Sequence, residues 1–163
     1  MKKIVVYYSL DGNTKYVAEI IAKKMNADIL SLEPEIAYPT KGVKKYWNAG
    51  KDTMFSTNPK LKPYTFDADE YDEVILCTPT WSDGPATPIN TFISENQSTL
   101  ATKKISAFAG YRGHGAEKAI EKMRKAIGVD EISHKLTLVV PKEKPDKEKE
   151  QMINRFCNEF LEK

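Results

Sequence analysis

Three short stretches gather the residues whose types and spacing could do chemistry. The first is "SLDGNT", Ser9 to Thr14, which sets two hydroxyls, a carboxylate, an amide and a glycine between an apolar run and a helical pattern. A simple turn needs fewer polar groups. At a helix start the first backbone N–H groups lack internal partners, and the helix dipole favours an anion there. Gly12 lets the backbone approach closely, Ser9 and Thr14 add hydroxyl donors, and Asn13 adds an amide. The combination suits a phosphate. The competing reading is a capped helix with Thr14 as N-cap, which would account for Thr14 alone. The second stretch is "TPTWSDGPATP", Thr78 to Pro88. Its Trp81 sits in a polar, proline-bounded turn, where an indole face can stack on a planar ring while backbone groups around Ser82, Asp83 and Gly84 read the ring's edge. The alternative is an indole folded back on the end of the sheet. The third stretch, "AGYRGHGA", Ala109 to Ala116, is glycine-rich. Gly110 and Gly113 permit close backbone approach, Tyr111 offers a second stacking face, and Arg112 and His114 stand between ligand contact and plain exposure.

The elements that must position these stretches alternate along the chain. Apolar runs at Ile4–Tyr8, Ile29–Leu32, Val74–Cys77, Ile105–Ala109 and Leu136–Val140 predict five strands. Helical spacing follows each of four of them: Val17, Ile20, Ile21 and Met25; Ile89, Phe92 and Ile93 after the Thr87-Pro88 start; Ala116, Ile120, Met123 and Ile127, closed by Gly128; and Met152, Ile153, Phe156, Cys157, Phe160 and Leu161. Strands apolar along their whole length are covered on both faces, and alternation with helices makes the sheet parallel. The expected fold is a single α/β domain over residues 1–163, a three-layer doubly wound sheet with strand order 2-1-3-4-5. In such a sheet ligands bind beyond the carboxyl ends of the strands at the switch point between the first and third. The loops after Tyr8, Cys77 and Ala109 lie there. Between the second and third strands, Pro39 to Tyr64 reads as a helix carrying Val43, Tyr46, Trp47 and Met54, followed by a wrapping loop. "PKEKPDKEKE", Pro141 to Glu150, reads as a solvated turn leading into a first helical turn.

Composition narrows the function classes. Of 163 residues, 25 are basic and 23 acidic, a formal net charge of +2 that gives no reason for a nucleic-acid or anionic-membrane partner. Ile4 to Tyr8 is too short for a signal-peptide core, and no stretch is long enough to span a membrane. The two cysteines, Cys77 and Cys157, lie far apart in apolar settings and read as buried thiols of a reducing, cytoplasmic compartment. No Cys-x-x-Cys and no histidine spacing indicates a metal. The dinucleotide pattern G-x-G-x-x-G and the nucleotide-triphosphate pattern G-x-x-x-x-G-K-[ST] are both missing. A receiver domain would want an aspartate ending the third strand, where Thr78-Pro79 stands, and a cobalamin module would want a histidine in the first loop.

Taken together the stretches resemble the flavodoxin family. "SLDGNT" is similar to the family's phosphate loop, T/S-x-T/S-G-x-T, at Ser9, Gly12 and Thr14. "TPTWSDG" resembles its aromatic-bearing loop, and "AGYRGHG" its glycine-rich loop. The resemblance spans nearly the whole chain in the right order. It implies one noncovalent flavin mononucleotide (FMN) and an electron-transfer role. By the same resemblance Ser9, Gly12, Asn13 and Thr14 would hold the phosphate, with Asp11 in the same loop. Thr78, Pro79 and Thr80 would line the ribityl chain, and Trp81 and Tyr111 would flank the isoalloxazine. Asp83 and Gly84 would meet its polar edge, and Gly110 and Gly113 would approach it. The implied partners are redox proteins or a small electron acceptor, with the chain a monomer or weak dimer. An FMN-dependent NAD(P)H:quinone or flavin-type oxidoreductase is the alternative, using Tyr111, His114 and Arg112; a scaffold that has lost FMN is a third. Three departures from the family pattern stand out. Asp11 occupies a position usually held by a hydroxyl donor, the third loop lacks the usual acidic residues, and the chain as a whole is not strongly acidic.

Overall fold

The computed structural model describes residues 1–38, 57–139 and 147–160. Its strands are β1 (Lys3–Tyr7), β2 (Asp28–Ser31), β3 (Glu73–Trp81), β4 (Gly84–Pro85), β5 (Lys104–Tyr111) and β6 (Lys135–Val139). Its α-helices are α1 (Asn13–Met25), α2 (Thr87–Leu100), α3 (Ala116–Ile127) and α4 (Lys147–Glu159). The sheet runs β2-β1-β3-β5-β6, all parallel, with the short β4 antiparallel to the end of β3. Leaving β4 aside, this is the expected 2-1-3-4-5 order, so β1 and β3 flank the switch point.

Side chains on successive strand positions point to opposite faces, and the two faces bury separate cores. Val5, Tyr7, Ile75, Cys77, Phe108, Leu136 and Leu138 pack under α1 and α4 with Val17, Ile21, Ile153 and Phe156. Ile4, Val6, Val74, Leu76, Ile105 and Ala107 pack under α2 and α3 with Ile89, Phe92, Ile120 and Met123. Each large side chain removed from water contributes about 1.5–3 kcal/mol. The edge strands are less covered: Ile29 on β2 and Val139 on β6 are exposed. On α4 the expected face holds at Ile153, Phe156, Cys157 and Phe160, but Met152 faces solvent. Leu161, Val140 and the turn before Lys147 lie outside the described residues, as do Val43, Tyr46, Trp47 and Met54 and the helix expected of them.

Residues 57–66 do wrap. They return across the start of α2, with Leu61 bridged to Pro34 and the Thr91 hydroxyl donating to the Pro59 carbonyl at 2.7 Å. Tyr64 and Phe66 pack on Phe92. At Asn96 the helix kinks (φ −121°, ψ 15°), and its side-chain amide donates to the Phe92 carbonyl and the Tyr64 hydroxyl. At the opposite end of the sheet from the three loops, Glu73 is wholly buried at the start of β3. The Ser106 hydroxyl donates to its Oε1 at 2.6 Å, and Lys104 Nζ stands 4.0 Å from Oε2. His134 lies beside Lys104 (Nε2 to Nζ 3.4 Å) and Glu159 (Nδ1 to Oε2 3.4 Å).

Candidate functional site

The structure moves the loop boundaries. The third strand does not stop at Cys77; it pairs with β5 through Thr78↔Ala109 and Pro79↔Gly110, then with β4 through Thr80↔Pro85 and Trp81↔Gly84. Thr78, Pro79, Thr80 and Trp81 are therefore strand residues, and so are Gly110 and Tyr111 at the end of β5. Of "TPTWSDG" only Ser82 and Asp83 form the turn, both with positive φ (48° and 60°). That is the backbone of a two-residue hairpin whose twist matches its strands. The positive φ falls on two non-glycine residues beside Gly84, a conformation that is strained for serine. The hairpin is braced from within: the buried Thr78 hydroxyl accepts from the Ala86 N–H (2.9 Å) and donates to the Pro79 carbonyl (2.8 Å).

The first loop opens α1 with Gly12, at φ 91°, as N-cap. Thr14 is not the cap but a buried first-turn residue. No acidic residue lies within that first turn, although the Asp11 carboxylate stands just before it. The space a Cβ on Gly12 would occupy is open, with no atom within 4 Å. Ser9 Oγ accepts from the Gly12 N–H (3.1 Å), and Asp11 Oδ1 accepts from the Asn13 N–H (3.2 Å).

Side chains tie the three loops together. Arg112 donates through Nη2 to Asp11 Oδ2 at 3.0 Å, joining the third loop to the first. Asp83 meets His114 Nδ1 at 2.9 Å and accepts from Lys118 Nζ at 3.0 Å, joining the hairpin to the start of α3. The Lys118 ammonium first, and His114 second, hold the Asp83 carboxyl below the usual carboxylate range. The hairpin also sits against the backbone of Gly115, the N-cap of α3, at φ 96°. Trp81 meets Tyr8 at 5.5 Å and Tyr38 at 5.4 Å between centroids, both edge-to-face. These contacts fix the indole at the sheet's carboxyl edge, with Tyr38 anchored through its hydroxyl to Thr87 Oγ1 at 2.9 Å. Beside them Thr80 Oγ1 is buried with no hydrogen-bond partner among the described residues. An orphaned hydroxyl at a strand end is costly unless a ligand group meets it.

Sequence reasoning left Arg112 and His114 undecided and did not anticipate Tyr8 and Tyr38. The partners of these residues are 101, 31, 73 and 49 positions away, and no local pattern signals such pairs. Among the described residues, no group of three or more histidine, cysteine or acidic side chains could hold a metal ion. No helix there is long and apolar enough to cross a membrane.

A glycine-capped helix start, an aromatic hairpin and a glycine-bearing strand end lie together at the switch point of a doubly wound parallel sheet, where α/β proteins of this class bind their ligands. The flavodoxin family model matches residues 2–140, and the chain belongs to that family. No curated protein matches it. Among solved structures it is similar to a candidate flavoprotein from Bacteroides eggerthii, at 21% identity over 98% of both chains with a TM-score of 0.74. It is similar to a flavoprotein from Lactobacillus acidophilus solved in complex with FMN, at 20% identity over 85% of this chain and 91% of that one, TM-score 0.65. It is also similar to oxidised flavodoxin 1 from Bacillus cereus, at 18% identity over 99% and 98%, TM-score 0.61. At these identities the likeness is one of fold.

Proposed function

We infer that the chain is an FMN-binding electron-transfer protein, with one noncovalent FMN held across the three loops. The observation that carries this is the convergence of the Gly12 cradle, the Trp81 hairpin and the Gly110–Gly113 stretch on one edge, cross-tied by Asp11–Arg112 and Asp83–His114. When bound, FMN supplies the redox chemistry; the protein supplies binding, orientation and electrostatics.

The roles divide by location. Ser9, Gly12, Asn13 and Thr14 receive the phosphate, through hydroxyls and the first-turn N–H groups of α1. Thr80, with its orphaned hydroxyl, and Pro79 line the ribityl chain, while Thr78 serves through its backbone because its hydroxyl braces the hairpin. Trp81 and Tyr111 hold the ring and exclude water. Gly84, Gly110 and Gly113 admit it closely. Asp83 acts by pinning the hairpin to α3, because both its carboxylate oxygens are engaged there. Partners are redox proteins or a small acceptor. A reducing, cytoplasmic setting fits two buried, unbridged thiols.

Calorimetric titration with FMN and with riboflavin tests this reading. FMN is expected to bind at least tenfold more tightly, as loss of one charge-assisted hydrogen bond alone would dictate. Equal affinities would remove the phosphate site. Sustained NAD(P)H oxidation with quinone as acceptor would replace carrier by reductase.

A further inference from the structure

The Asp11–Arg112 pair poses a chemical problem. A phosphate monoester is close to a dianion at neutral pH, and the first loop already carries the Asp11 carboxylate. That carboxylate occupies the Asn13 N–H, one of the donors a phosphate would use. The charge answering it is Arg112, which comes from the far side of the site with one N–H bonded to Asp11 Oδ2. A guanidinium has five N–H donors in a planar fork suited to carboxylate and phosphate alike. The remaining donors of Arg112 have no partner among the described residues. Lys15, the cation in the first turn of α1, is directed instead at Glu19. Both Asp11 and Arg112 are substantially exposed, at 48% and 64%, so their bond is weak enough to exchange.

We propose that Arg112 is a phosphate-recognition residue, held at the rim by Asp11 in the ligand-free protein and engaged with the phosphate of the bound mononucleotide. The inference rests on the FMN reading above. On binding, the phosphate takes the Asn13 N–H from Asp11. The guanidinium then spans both anions, giving its unused N–H groups to the phosphate. Asp11 is a positioning residue: it keeps Arg112 over the cradle before ligand arrives, at the cost of some like-charge repulsion afterwards.

The test measures dissociation constants for FMN and riboflavin with wild type, Arg112→Gln, Arg112→Lys and Asp11→Asn, together with the shift in melting temperature of each apoprotein in inorganic phosphate. Arg112→Gln should weaken FMN about tenfold and leave riboflavin unchanged. Arg112→Lys should fall between, because it keeps the charge and loses the fork. Asp11→Asn should bind FMN as tightly as wild type or more so. Phosphate should stabilise wild type more than Arg112→Gln. The proposal is overturned if Arg112→Gln leaves FMN affinity unchanged, or if it weakens FMN and riboflavin equally, since the pair would then only shape the loops. A wild type that binds FMN no better than riboflavin would instead refute the underlying phosphate site, and the two failures are told apart in the wild-type titration alone.

Discussion

Replacing Gly115 with alanine tests whether the hairpin is seated on the start of α3. Two penalties add at this position. The first is conformational: at φ 96° an L-residue carries about 1–2 kcal/mol of strain. The second is steric: the new Cβ would overlap the Asp83 carboxylate oxygen Oδ1 and lie 3.1 Å from Asp83 Cα, so backbone and not merely a side-chain tip must move. Overpacking of that kind costs about 1–3 kcal/mol. The expected loss is about 3 kcal/mol, which lowers the melting temperature by about 6–12 °C in a chain of this size. Gly12→Ala shares the positive φ, at 91°, but has open space around it, so it should lose only the first penalty, about 1–2 kcal/mol. Gly113→Ala has neither burden and should stay within about 0.5 kcal/mol of wild type. Urea denaturation of the three apoproteins gives the ordering directly. A double variant adds a check. With Asp83→Ala the carboxylate overlap disappears, so Gly115→Ala should cost less in that background than in wild type. If Gly115→Ala is no costlier than Gly12→Ala, the hairpin does not rest on α3 and the reasoning fails.

Three further outcomes follow from charge and burial. Lys104→Ala should destabilise the protein by about 2 kcal/mol in chemical denaturation, by stripping the buried Glu73 of its cation, whereas Glu73→Gln should be neutral or stabilising; the reverse ordering would discard the pair as a structural unit. Burial pushes the Cys77 thiol far up from the ordinary 9.0, so the folded chain keeps a proton that the unfolded chain releases. Stability should therefore be complete below pH 9.0 and decline above it, and Cys77→Ala should flatten that alkaline slope in denaturation curves. The Asp83 carboxyl is held below its ordinary 3.8, so its contribution is present above that value and lost as pH falls through the lowered one. Asp83→Asn should make the acid limb of the stability profile shallower, and an unchanged limb would mean that the tie to Lys118 and His114 is not formed in solution.

The fold was largely legible because its signals are local. Ile4 to Tyr8 and Val74 to Cys77 are unbroken apolar runs, and buried parallel strands look that way wherever they lie. The three candidate stretches stood out for the same reason: glycine, hydroxyl and aromatic residues crowd into a few positions after each strand. What lay hidden was set by tertiary context. Thr78 to Trp81 look like a loop because threonine and proline interrupt the apolar run, yet β5 on one side and β4 beyond continue the ladder through them. The left-handed turn was hidden because it falls on Ser82 and Asp83 and not on the adjacent glycine. Arg112 and His114 carried no local signal, since their meaning depends on carboxylates that only the folded sheet brings near. The competing reading of Thr14 as a cap arises because hydroxyl residues are frequent caps, but Gly12 bends the backbone two residues earlier.

The parallel ladder also sets how far apart along the chain its partners lie. Lys3 pairs with Glu73, closing 73 − 3 = 70 residues, whereas Glu73 pairs with Lys104 across 104 − 73 = 31 and Ile4 with Asp28 across 28 − 4 = 24. Loop-closure entropy grows with the logarithm of length, so joining β1 to β3 costs about 0.7 kcal/mol more than joining β3 to β5. The ladder's longest-range pairing thus joins an amino-terminal unit, β1-α1-β2, to a carboxy-terminal unit built on β3, β5 and β6. Their seam is the β1–β3 pairing, where the Ser9–Thr14 loop of one unit lies at the same sheet edge as the Trp81 hairpin of the other. On the FMN reading proposed above, the ligand touches both sides of that seam and should stabilise the β1–β3 pairing.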